Sequence, residues 1–277
     1  MAYEAEISRS NPTAFIFLID QSGSMADTMS IGKSKAEFLA DVLNKTLMNL
    51  TVRCSKSEGV RDYFYVGLIG YNQSNVYNCF KDELCKSYLN PISKVADKPL
   101  KIEERVQKID DGTGNIIERK VKFPVWLEAT ANGGTPMCQA LKLVYDVVDD
   151  WCKNHKNSYP PTILHITDGE STDGNPSEIA ESIKKEAVND GNALLFNLHI
   201  SVAGGEPIIF PSNGSALPDE FAKLLFNMSS ILPEHLIKVA KERGFNVSEN
   251  ARGFIYNGEA SEIVEFFDIG TRATQMR

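Results

Sequence analysis

No stretch of this chain approaches the roughly 20 consecutive apolar residues that a membrane-spanning helix needs. The residues from Met1 to Pro12 are polar and charged and hold no apolar core of a secretory signal, so cytoplasmic residence is the expectation. Basic clusters are missing as well. Lys and Arg number 29 against 37 Asp and Glu, a formal charge of −8, which disfavours a nucleic-acid or anionic-membrane footprint. The five cysteines (Cys54, Cys79, Cys85, Cys138, Cys152) are scattered and include no C-x-x-C pair. That pattern lacks the spacing of a zinc site or a disulfide framework and points to free thiols; a Cys79–Cys85 pair would still leave an odd one. No period of about 20 to 50 residues repeats, and no segment is of low complexity.

What is present is the composition of a globular protein, 42% hydrophobic and 24% charged over 277 residues, enough to bury one core without staples. TAFIFLID (Thr13–Asp20) is a short, nearly apolar run that ends on a carboxylate, the pattern of a strand buried on both faces. Ala36, Leu39, Leu43, Leu47 and Leu50 then form one apolar stripe, which predicts a helix over 33–50. DYFYVGLIGY (62–71) and 75–80 read as two strands joined closely enough to run antiparallel. A second strong helix is predicted over 136–152. TILHIT (162–167) is another apolar strand, again stopping at a carboxylate, Asp168. A helix from Pro176 to about Asn189 is signalled by Asn175 as cap, with Pro176 first and Glu178 third. There follow a strand over 193–202, helical sequence over 219–243 broken by Pro233, a strand over 253–256 and a terminal helix from Ser261. Such alternation predicts a single α/β domain over 1–277: an open, Rossmann-like, mostly parallel sheet with one antiparallel edge strand and helices on both faces. The alternation stops between residues 81 and 131. There, two charged, alternating runs around Asp110-Asp111-Gly112-Thr113-Gly114 predict an inserted β-hairpin near 101–123, an arm or lid on the core. An EF-hand calcium loop starting at Asp111 is excluded, because the sixth position is not glycine and the twelfth is Lys122.

Asp20-Gln21-Ser22-Gly23-Ser24 carries the chemistry. A parallel strand delivers its last residues to the carboxyl edge of the sheet, where open α/β folds bind ligands. Asp20, Ser22 and Ser24 alternate, and Gly23 lets the backbone turn tightly between the hydroxyls. Three oxygens can converge there, and an all-oxygen donor set suits Mg²⁺, Mn²⁺ or Ca²⁺. The same pattern also fits an oxygen-rich turn that caps the next helix.

Asp20–Ser24, with the apolar strand before it and Met25 after, resembles the D-x-S-x-S signature of the von Willebrand factor type A (VWA) family. Gly133-Gly134-Thr135-Pro136 resembles that family's threonine loop, and Thr167-Asp168-Gly169 its strand-ending T-D-G. The resemblance covers residues 13–270, apart from the hairpin region. It implies a metal-ion-dependent adhesion site (MIDAS), with Mg²⁺ the first choice of ion. Ser22, Ser24 and, in a high-affinity state, Thr135 would ligate directly; Asp20 and Asp168 would act mainly through water. Neutral hydroxyls leave such an ion electron-poor, so a protein partner's Asp or Glu is the expected further ligand. Gln21, Met25, Gly134, Glu170 and Asp173 are expected on the rim of that partner site. Thr135 also fits a helix N-cap, Asp168 a turn with Gly169, and Met137 the core. The resemblance is closest to intracellular bacterial members, which suggests stress-response or kinase/phosphatase signalling. The competing readings are a metal-dependent phosphoryl-transfer hydrolase and a metal-free interaction scaffold. Against the hydrolase, the position two after Asp20 is Ser22 and not aspartate, and G-x-S-x-G and H-E-x-x-H are both missing. The four histidines read as satisfied core or surface residues.

Overall fold

In the computed structural model, residues 3–29, 31–73, 75–110, 116–201, 206–258 and 260–271 are described. In chain order the first elements are β1 (Thr13–Asp20), α1 (Lys35–Cys54), β2 (Phe64–Asn72), β3 (Asn75–Asn78) and α2 (Ile92–Asp97). Next come β4 (Lys101–Asp110), β5 (Ile116–Val125), α3 (Met137–Asn154), β6 (Thr162–Thr167) and α4 (Ser177–Ile183). The last are β7 (Leu194–His199), β8 (Ile208–Ile209), α5 (Glu220–Met228), α6 (Glu234–Glu242), β9 (Phe254–Tyr256) and α7 (Ala260–Gly270).

All of β1 is buried, and the two-residue period of a strand sorts its side chains to two cores. Phe15, Phe17 and Ile19 pack with α1 and α7 through Leu39, Leu43, Leu47 and Phe267. Ile16 and Leu18 face the other way, toward Ala140, Leu141 and Val144 of α3. The sheet order is β8-β9-β7-β6-β1-β2-β3. Strands β9 to β2 run parallel, and β3 lies antiparallel on one edge, as expected. The opposite edge also ends antiparallel, at β8; two residues are too few to show a period in the sequence.

Helix bounds follow local chemistry. Ser34 and Glu37 form a reciprocal capping box, with Glu37 N–H donating to Ser34 Oγ and Ser34 N–H to Glu37 Oε2, so α1 starts at Lys35. Near Pro176, the Asn175 side chain accepts from Ser177 N–H, but the helix ends at Ile183 and not near Asn189. The chain then makes a small hairpin, Ala187–Val188 against Gly191–Asn192, that turns through Asn189-Asp190.

The inserted hairpin is β4 and β5, paired from Lys101–Val125 to Asp110–Ile116; its turn at 111–115 lies outside the described residues. It is pinned to α1 by an Arg105–Asp41 ion pair at 3.0 Å. The return segment is pinned more deeply: Asn44 of α1 accepts from Trp126 and Leu127 N–H and donates to the Leu127 carbonyl.

Topology places the site. After β1 the chain crosses through α1 on one face, and after β6 through α4 on the other. β1 and β6 are neighbours, so their carboxyl ends flank the point where the winding reverses, the usual ligand crevice of such sheets.

Candidate metal centre

Three loops meet at that crevice. The first follows β1: Gly23 N–H donates to the Gly133 carbonyl (2.8 Å), and Asn132 N–H to the Gln21 carbonyl (2.8 Å), joining it to the threonine loop. Gly133 has φ +71°, and a Cβ there would stand 2.1 Å from Gln73 Cγ, so the approach needs glycine. The second joint ties the threonine loop to the loop after β6, as Thr135 N–H donates to Thr172 Oγ1 (3.0 Å) and Thr172 N–H to the Thr135 carbonyl (2.9 Å). The third is direct: Ser24 Oγ donates to Asp168 Oδ1 at 2.8 Å.

Asp20 is 1% exposed. Its Oδ1 accepts from Ser22 N–H (2.8 Å) and its Oδ2 from the Thr167 hydroxyl (2.6 Å). Burial pushes its carboxyl up to about 6; hydrogen bonds from Ser22 and Thr167 pull against that, and the Asp168 charge adds to it. Among the described residues no cation pairs with Asp20. The hydroxyls of Ser22 and Ser24 lie 3.2 Å apart, and Thr135 is 7% exposed.

Asp168 has a different setting. Its side chain is 1% exposed, and Lys35 Nζ stands 2.7 Å from Oδ2. Lys35 Nζ also reaches the Ser24 carbonyl at 3.3 Å and Asp27 at 3.2 Å. The expected metal residues thus come together on three interlocked loops, with a cation among them that sequence analysis missed. The signal for it was weak: a lysine in the first turn of a helix looks like a solvated side chain.

Several rim expectations are corrected. The 3-10 turn Gly23–Ala26 rolls Met25 into the core at 0% exposure. Gln21 is 4% exposed, because its N–H continues the β2 ladder and its Oε1 accepts from the Tyr77 hydroxyl. Asp173 caps α3, accepting from Cys138 and Gln139 N–H at 2.9 Å each. Burial raises its carboxyl, but those donors and Ser171 outweigh this and hold it below the usual range. Thr135 makes no side-chain cap to α3. Gly134 is half-buried and Glu170 exposed.

His165 behaves as a satisfied core histidine. Asn197 Nδ2 donates to Ser229 Oγ and the Leu225 carbonyl, so its Oδ1 accepts from His165 Nδ1–H (2.8 Å). That leaves His165 Nε2 to accept from the Tyr71 hydroxyl, 2.8 Å away. Burial lowers its pKa to about 4. His199 departs from expectation: it is 5% exposed, and its Nδ1 has no hydrogen-bond partner among the described residues.

Two buried carboxylates and three hydroxyls are a donor set for a hard cation. Among the described residues there is no group of three or more His, Cys, Asp or Glu side chains that could hold a metal ion. Among the described residues, four clefts, such as one lined by Lys33, Asp41 and Arg105, include none of the five, and Asp20 lines a much smaller one. All five cysteines are free thiols, and no described helix is long and apolar enough to cross a membrane.

No family model matches the chain, and no curated protein does. Among solved structures, the chain is similar to proximal thread matrix protein 1 of the mussel byssus, at 14% identity and a TM-score of 0.49. That match covers 96% of this chain and 48% of the other, so the chain spans about half the mussel protein's length. It is similar to the manganese-loaded TRAP protein of Plasmodium vivax at 14% identity and a TM-score of 0.44, covering 93% of this chain and 72% of that one. A third likeness is to the vWF domain of the type V pili tip protein of Porphyromonas gingivalis, at 13% identity and a TM-score of 0.31, covering 58% of this chain and 39% of that one.

Proposed function

We propose that this chain is a metal-dependent protein-binding module in which Asp20, Ser22, Ser24, Thr135 and Asp168 hold a divalent cation, Mg²⁺ first and Mn²⁺ or Ca²⁺ next, for an acidic residue of a partner protein. The observation that carries it is Asp20, a carboxylate buried to 1% that accepts from the Ser22 N–H and the Thr167 hydroxyl and has no cation paired with it among the described residues. A buried charge needs a countercharge, and the Ser22 hydroxyl beside it, 3.2 Å from that of Ser24, would help hold one. When bound, the ion supplies a Lewis-acidic position for a carboxylate oxygen. The protein's own part is orientation: Ser22 N–H and Thr167 aim Asp20, and the Thr135–Thr172 bonds fix the threonine loop.

The function is binding and not catalysis, since Ser22 stands where a phosphoryl-transfer aspartate would carry its second carboxylate. A role in bacterial stress-response or kinase/phosphatase signalling is part of this proposal, as is cytoplasmic residence. One observation favours a metal-free scaffold instead: Ser24 and Lys35 already satisfy both oxygens of Asp168. Calorimetric titration of Mg²⁺ and Mn²⁺ decides between them. Saturable binding that disappears in Asp20→Ala and in Ser22→Ala/Ser24→Ala supports the module. Folded protein that binds neither ion at millimolar concentration, with or without an acidic partner, leaves the scaffold.

A further inference from the structure

Lys35 is not accounted for by metal binding alone. Its side chain is 5% exposed, a depth at which lysine is rarely found unless paired. It stands at the first position of α1, where the helix dipole disfavours a cation, so helix stability gives no reason for it. Its ammonium is aimed at Asp168 Oδ2 and the Ser24 carbonyl, two groups of the candidate site. Asp27, its other carboxylate contact, has a side chain 56% exposed and is screened by water. Glu170 is exposed and Asp173 is committed to capping α3, so neither offsets a charge inside the site.

We propose that Lys35 is a resident counter-ion of the cation site, holding Asp168 back from direct ligation and reserving positive charge at a bound metal for an acidic partner. The inference rests on the metal-binding function proposed above. The buried ionised groups are Asp20, Asp168 and Lys35, a net charge of −1. A divalent ion turns this to +1, and one incoming carboxylate neutralises it. Without Lys35 the site would stand at −2, and the ion alone would neutralise it, with no charge left to attract a carboxylate. Lys35 therefore weakens the hold on the metal and strengthens the hold of the loaded site on an acid. It also occupies Asp168 Oδ2 while Ser24 occupies Oδ1, which leaves direct ligation to the hydroxyls.

The test uses the full chain as wild type, Lys35→Met, Asp168→Asn and the double variant. Mn²⁺ affinity is measured by calorimetry, and acetate binding to the Mn²⁺-loaded protein by water-proton relaxation. Lys35→Met is expected to bind Mn²⁺ at least about tenfold more tightly than wild type and acetate several-fold more weakly, the scale of one unit charge in a partly buried site. Asp168→Asn is expected to bind Mn²⁺ more weakly, and the double variant to return to within about threefold of wild type, because its charge count is the same. Should Lys35→Met not fold, the double variant removes both members of the pair and leaves neither of them buried without its partner; it must still bind Mn²⁺ more tightly than Asp168→Asn. Equal or weaker Mn²⁺ binding on loss of Lys35, in a protein whose wild type binds, overturns the counter-ion role alone. Absence of Mn²⁺ binding in every form overturns the metal site and this inference together.

Discussion

Asp20 closes β1 and Asp168 follows β6, on neighbouring parallel strands, and the two carboxylates are equally buried. Their settings are opposite. Asp20 is held by neutral donors, and burial raises its carboxyl to about 6. Asp168 is held by the Lys35 ammonium and by Ser24. An apolar strand that stops at an aspartate recurs in both places, but the electrostatics is set elsewhere, by the first residue of α1. The lesson is that, among the described residues, one carboxylate lacks a countercharge that the other already has, and the cation proposed above would supply it on the Asp20 side.

The same substitution at the two positions should break the symmetry with opposite signs. Asp168→Asn leaves the Lys35 ammonium buried without its main partner, and is expected to cost the metal-free protein about 3 kcal/mol in urea unfolding, the scale of breaking a buried ion pair. Asp20→Asn removes a charge that burial disfavours. A carboxyl raised from 3.8 to about 6 costs up to ~3 kcal/mol above both values. Part of that gain is lost to poorer hydrogen bonding by the amide, so a net rise of about 1–2 kcal/mol at pH 7.5 is expected. Equal losses at both positions would erase the distinction.

Acidity sharpens it further. The raised Asp20 carboxyl adds stability as pH falls through about 6, complete below the ordinary carboxylate value. The lowered His165 imidazole does the reverse: its contribution is full above 6.5 and is lost as pH falls toward about 4. In wild type the two oppose each other between about pH 6 and 4. Asp20→Asn exposes the His165 contribution, and its stability is expected to drop by up to about 1.4 kcal/mol per pH unit across that window. A pH profile parallel to wild type would contradict the assigned shifts. The smallest expected effect is a control: exposed Glu170 changed to Gln should alter stability by no more than about 0.5 kcal/mol by thermal unfolding.

Much of this was legible in the sequence. Thr13–Asp20 and Thr162–Thr167 declared themselves as buried strands by composition, and the meeting of the loops that carry Asp20–Ser24, Thr135 and Asp168 was signalled by their pattern. What was hidden depended on distant contacts. Lys35 was invisible because α1 was read through its apolar stripe, and the partner that buries Lys35 lies 133 residues away. Met25 and Gln21 were misplaced because a single 3-10 turn and one extra ladder bond decide whether they face out or in. The overlong helix after Pro176 came from reading helix-forming residues past Ile183, where the chain instead enters the Ala187–Val188 and Gly191–Asn192 hairpin.

The most direct test of the metal site is a crystal of the full chain grown with Mn²⁺ and measured at the manganese absorption edge. A single anomalous peak about 2.1–2.2 Å from the Ser22 and Ser24 hydroxyls, with the Lys35–Asp168 pair intact, is the result expected here. An anomalous map with no peak at those hydroxyls, in a crystal holding millimolar Mn²⁺, would contradict it.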